Sequence, residues 1–191
     1  MPMKYKPKKT FKQTTHQLAD NHTWKAPPGY KIFVIDRGAA SFNIPADWFM
    51  KQIEPLELLD KEPPDDNARI MVTFWRLPPN IDWTGLPLSQ LLDVSTKDSQ
   101  HERIAQGNIV QPKRQDGIEL VWREDRFLDP GENREAYTRI ALARGFGAAL
   151  LITCDCWPED RTRISPHWNE LLRSIQMGRV IADPLKGEVL H

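Results

Sequence analysis

The sequence has little of what usually declares a function. Its 191 residues hold only two cysteines, Cys154 and Cys156, split by one aspartate, so no disulfide framework can form and a reducing compartment suits the chain. No G-x-S-x-G, phosphate-loop or H-E-x-x-H pattern occurs. Gly145-Phe146-Gly147 lacks the third glycine of a dinucleotide loop and reads as the entry to a strand. The five histidines (His16, His22, His101, His167 and His191) are scattered, without a ligand pair at helical spacing. There is no net charge, since 26 basic residues balance 26 acidic ones, which argues against a general nucleic-acid binder. The longest strongly apolar run, Phe146 to Ile152, is too short to cross a bilayer as a helix. Lysines at 4, 6, 8, 9 and 12 break up the start of the chain, which therefore lacks the apolar core of an export signal. These absences predict a cytoplasmic protein without a transmembrane segment.

What is present suits one globular domain. Apolar residues make up 40% and charged residues 27%, and seven tryptophans are many for this length. Residues 1–28 read as a basic, flexible arm, 29–183 as the domain and 184–191 as a tail. Within the domain, Ile32–Ile35 and Ala39–Ile44 are strand-like around the turn Asp36-Arg37-Gly38, and Pro45 stops the second strand. A weaker extended stretch spans 51–58, followed by a loop at 61–67. Ala68–Leu77 alternates with apolar residues on both faces, predicting a strand covered on both sides.

Leu88, Leu91, Leu92 and Ser95 predict a helix over 87–105. Asn108–Lys113, Gly117–Phe127, Tyr137–Ala143 and Phe146–Cys156 read as strands of a meander, the second of them a half-buried ribbon. Asp129-Pro130-Gly131-Glu132-Asn133 is a turn. Ser165 and Pro166 suit the start of a last helix, whose stripe is Trp168, Leu171, Leu172 and Ile175, with Gly178 as its stop. An apolar meander of this kind needs helices on both faces. The expected class is therefore α+β, an α/β/α sandwich on a mainly antiparallel sheet.

Phe42-Asn43-Ile44-Pro45-Ala46-Asp47-Trp48, the strand Arg69-Ile70-Met71-Val72-Thr73-Phe74, and the segment from Trp157-Pro158 to Leu171-Leu172-Arg173-Ser174-Ile175 carry a likeness. Over residues 31–177 the chain resembles the Mog/PsbP-like superfamily, especially its DcrB-like branch. The resemblance implies binding or accessory proteins, such as extrinsic photosystem II subunits, Ran-binding factors and chaperones that load secretion effectors. No ligand residue carries over, because no functional motif of those branches matches here.

Three function classes follow. The first is a non-catalytic accessory protein that binds another protein, with no cofactor and no specific nucleic acid, through Trp83, Trp122 and Arg123. The second is a carrier of a small hydrophobic ligand, since a meander closed by a C-terminal helix can enclose an apolar pocket. The third is a thiol or metal protein. Cys154 and Cys156 face the same way on a strand, and His167 could join them, although a closed zinc site wants four ligands. Asp65-Asp66, Glu124-Asp125 and Glu159-Asp160 could suggest acid–base chemistry, but their places at turns and helix starts favour solvated roles.

Overall fold

The computed structural model describes residues 13–51, 55–83, 85–97, 102–183, 185–186 and 188–190. The lysines at 4–12, with His101 and His191, lie outside the described residues. Strand β1 (Tyr30–Ile35) and strand β2 (Ala40–Pro45) pair antiparallel, with Tyr30 opposite Pro45 and Ile35 opposite Ala40. A 3-10 turn at Asp36–Gly38 joins them. Gly38 has φ +92°, and a Cβ there would stand 1.7 Å from the Arg179 carbonyl oxygen, so both the turn and its close neighbour require glycine.

Five short or intermediate elements follow: β3 (Phe49–Lys51), β4 (Leu56–Leu59), β5 (Ala68–Arg76), helix α1 (Leu88–Lys97) and β6 (Glu102–Ala105). The long strands are β7 (Glu119–Asp129), β8 (Arg134–Gly145) and β9 (Ala148–Cys156), and helix α2 (Arg161–Ser174) comes next. The chain closes with β10 (Gln176–Met177), β11 (Val180–Asp183) and β12 (Glu188–Leu190). Seven strands form one antiparallel sheet in the order β3-β4-β5-β9-β8-β7-β6. Strands β1, β2 and β10 form a second small sheet, and β11 pairs β12.

Side-chain alternation assigns each face of the large sheet its own cover. On the first face Ile70, Val72, Leu120, Ala141, Leu150 and Ile152 meet Phe42 and Ile44 of β2 and the stripe Ile164, Trp168, Leu171 and Leu172 of α2. Burying each such side chain contributes about 1.5–3 kcal/mol, which anchors α2 through its apolar stripe rather than through propensity. On the second face Val121, Ile140 and Leu142 pack under Leu88 and Leu92 of α1. The result is an α+β fold with one helix on each face of an antiparallel sheet, as expected.

Several local expectations need correction. The helix predicted over 87–105 ends at Lys97, and Glu102–Ala105 is an edge strand beside β7. At its C-terminal end the Thr96 hydroxyl bonds back to the Leu92 carbonyl at 3.0 Å, a local bond that competes with helix continuation. Asn108–Lys113 is reduced to one bridge, Val110 with Trp122, because Pro112 cannot extend a ladder. Strand β5 is covered on one face only: Ile70 and Val72 are buried, whereas Met71 and Thr73 are half-buried and Trp75 is exposed. Strand β7, expected to be a half-buried ribbon, buries Val121, Arg123, Asp125 and Phe127 on its second face, while on the other face Leu120 is buried and Trp122, Glu124 and Arg126 are half-buried.

Helix α2 starts four residues before Ser165, after a 3-10 turn at Pro158–Asp160, so Pro166 lies inside it. It ends at Ser174, and Gly178 instead turns the chain from β10 into β11, its N–H bonded to the Ala39 carbonyl at 3.0 Å. Phe146 (φ 51°) and Gly147 (φ 69°) form the two-residue turn between β8 and β9, not a strand entry.

Candidate partner surface and flanking clefts

The three residues proposed from sequence do not meet. Arg123 points to the second face of the sheet, and its side chain has no solvent exposure. Its guanidinium donates to Asp125 Oδ2 (3.0 Å), to Thr96 Oγ1 (2.6 Å) and to Asp93 on α1. Arg123 is thus an internal clamp that fastens α1 to β7. Trp122, its neighbour in sequence, necessarily faces the other way. It is half-buried and meets Trp168 edge-on, with ring centroids 6.0 Å apart.

Trp83 sits half-buried in the loop after β5, its indole N–H donating to the Pro78 carbonyl at 3.3 Å. Its own carbonyl accepts from Arg144 of β8. Cross-strand register places Trp75, Ala149, Arg144 and Glu119 in one row across the second face. The loop bearing Trp83 therefore lies over the same end of that face as Trp75. Trp75 is 43% exposed, and Ile81 and Leu86 of the loop are 49% and 42% exposed. Sequence reasoning missed Trp75 because its strand looked covered on both sides. Among the described residues, α1 packs on β7 and β8 with Leu151 of β9 beside them, and Trp75 at the β5 end stands exposed.

Two clefts flank α2. The larger, about 680 Å³, is lined by Pro112–Asp116, Leu120, Trp122, Asn169, Leu172 and Arg173. The smaller, about 480 Å³, is lined by Pro45–Trp48, Asp60, Arg163 and His167, with Gly29 at its rim. In the smaller cleft the Asp60 carboxylate accepts from the backbone N–H of Asn67 and Ala68, each at 2.9 Å, and from Arg163 at 2.6 Å. Burial pushes the Asp60 carboxyl up, but these donors outweigh it and hold it below its ordinary range. His167 shares a 2.9 Å hydrogen bond between its Nδ1 and the Tyr30 hydroxyl. Burial, then the nearby Arg163 cation, lowers the His167 pKa, against a smaller opposite pull from Asp47.

Cys154 and Cys156 do share a face, inside the core beneath α2. Burial pushes the Cys154 thiol well above its usual range and the Cys156 thiol to about 11, so both stay protonated at neutral pH. His167 turns instead to Tyr30 and Trp48. Among the described residues no three His, Cys, Asp or Glu side chains are grouped so as to hold a metal ion. The stripe of α2 is packed directly on the sheet, and the clefts lie beside the helix rather than under it.

Comparison with known proteins agrees with this architecture. A family model described as Alr1449 matches residues 31–181. The uncharacterized protein alr1449 of Nostoc sp. (strain PCC 7120 / SAG 25.82 / UTEX 2576) is 41% identical over 175 residues, covering 91% of this chain and 90% of its own. Among solved structures, cyanobacterial PsbP (CyanoP) from Synechocystis sp. PCC 6803 superposes with a TM-score of 0.56 at 14% identity, over 80% of this chain and 95% of its own. LpqN, involved in cell envelope biogenesis of Mycobacterium tuberculosis, gives 0.53 at 13% identity, over 77% and 90%. Such low identity speaks for the fold, and that fold is PsbP-like. With the matched model spanning β1 to β11, this chain belongs to the Alr1449 family.

Proposed function

We propose that this chain is a non-catalytic accessory protein that binds another protein at the open end of its second sheet face. The observation that carries the reading is the incomplete cover of that face: Trp75 stands 43% exposed beside the loop of Ile81, Trp83 and Leu86. A large, stiff ring that gains nothing from solvent is the kind of anchor that protein interfaces use. The PsbP-like fold supports an interaction role by analogy, and the buried, protonated thiols weigh against redox or metal chemistry at Cys154 and Cys156. Two free cysteines suit a cytoplasmic setting, which belongs to the same proposal. Of the three residues named from sequence, Trp83 belongs to this surface, Trp122 to the larger cleft, and Arg123 to the interior.

The test is purification of the tagged chain from its own cells, beside Trp75→Glu and a control Val94→Glu on the exposed face of α1. A protein partner held in fixed ratio by the wild type and Val94→Glu, and lost by a folded Trp75→Glu, fits the proposal. Equal retention by all three contradicts it.

A further inference from the structure

The larger cleft takes no part in the function proposed above, yet it is built as a site. Its floor is apolar, made of Leu120, Trp122 and Leu172. Its two walls are tied together. The Val110–Trp122 bridge, with N–H···O distances of 2.8 and 2.9 Å, fixes the segment leading to Pro112 against β7. Arg114 then reaches across to α2, donating to the carbonyls of Leu172 (3.1 Å) and Ile175 (2.6 Å). The Trp122 ring is held by its edge contact with Trp168, itself only 1% exposed. The cleft is open to solvent along one side, and its volume of about 680 Å³ is in the range of small-molecule sites.

The charge on the rim selects the ligand. Lys113, Arg114 and Arg173 line the cleft against one carboxylate, Asp116. Arg114 holds Asp116 at 2.5 Å and also covers the carbonyls at the α2 C-terminus, whose partial negative charge would otherwise repel an anion. Arg173 is 67% exposed and pairs with Glu170. Lys113 is exposed and, among the described residues, has no carboxylate at ion-pair distance. We propose that this cleft binds an anionic amphiphile, an alkyl or aryl carboxylate, with its apolar part on Trp122 and Leu120 and its head group at Lys113. Neither a bare anion nor a neutral hydrocarbon uses both features.

Titration of the intact chain with decanoate and with decan-1-ol, followed by tryptophan emission and by heat, tests this. Decanoate is expected to bind one to one, with affinity roughly tenfold weaker for decan-1-ol and for Lys113→Glu. Arg173→Glu, exposed on α2, gives a second variant that keeps the core and is expected to weaken decanoate as well. No saturable uptake of decanoate, equal affinity for the alcohol, or unchanged affinity in both variants overturns the proposal. Cosedimentation with phosphatidylglycerol vesicles but no uptake of dissolved decanoate also overturns it, because the cleft then reads a membrane surface rather than a single amphiphile.

Discussion

Arg123 and Asp125, two positions apart on the same face of β7, form a 3.0 Å ion pair in which the side chains are 0% and 3% exposed. The pair is completed from α1 by Thr96 and Asp93, and from the segment after β6, where the Gly107 N–H donates to Asp125 Oδ1 at 3.0 Å. Every buried charge thus has donors or acceptors around it, the condition under which such a pair is tolerated.

Removing Arg123 leaves the buried Asp125 carboxylate, among the described residues, with only the Gly107 N–H and the more distant Arg103, 3.8 Å away. Arg123→Met is expected to destabilise the fold by about 3 to 5 kcal/mol, measured by denaturant unfolding. The double change Arg123→Met with Asp125→Leu is expected to recover much of that loss, because both charges are then gone. A single variant within 1 kcal/mol of wild type, on the order of a surface pair, shows that the clamp contributes little.

His167 makes stability depend on pH in a defined direction. Its pKa is lowered in the folded chain, by burial and then by Arg163, so the unfolded chain binds the proton first as pH falls below about 6.5. Stability therefore declines from about pH 6.5 downward until the folded imidazole also protonates, below which this contribution stays constant. Asp47, Asp60 and the Tyr30 hydroxyl share the cleft, and Asp60, whose pKa is also depressed, adds a separate loss at lower pH as it protonates. His167→Gln is expected to flatten the melting temperature between pH 6.5 and 5 relative to wild type. An unchanged slope removes His167 as its source.

The cysteines are expected to be inert. With the Cys156 thiol pushed up to about 11 and Cys154 further, alkylation at neutral pH should be slow in the folded chain and fast in denaturant. Rapid modification of the native chain, timed by mass spectrometry, contradicts this.

The sequence was legible where local pattern and tertiary placement agreed. The β1–β2 hairpin carries its turn at Asp36–Gly38, and α2 carries Trp168, Leu171 and Leu172 at helical spacing, which the core absorbs. It misled where a local signal had a different tertiary use. Ser165-Pro166 resembles a helix start, but the Ser165 hydroxyl donates to the Arg161 carbonyl and accepts from Arg139, each at 2.7 Å, inside a helix already begun. Charges at 123 and 125 read as a solvated face, because the partners that permit their burial sit on α1, 27 to 30 residues away in the chain. The candidate surface was half legible: Trp83 stood out by residue type, whereas the exposure of Trp75 depends on how far α1 reaches across the sheet.

The most direct measurement is photo-crosslinking in the cells of origin, with a photoreactive phenylalanine at position 75 or at position 94 of the intact chain. Val94 is 67% exposed on α1 and serves as the surface control. One discrete protein adduct from position 75 and none from position 94 is the expected result. No adduct from either, or the same products from both, would contradict a partner docked on the Trp75 surface.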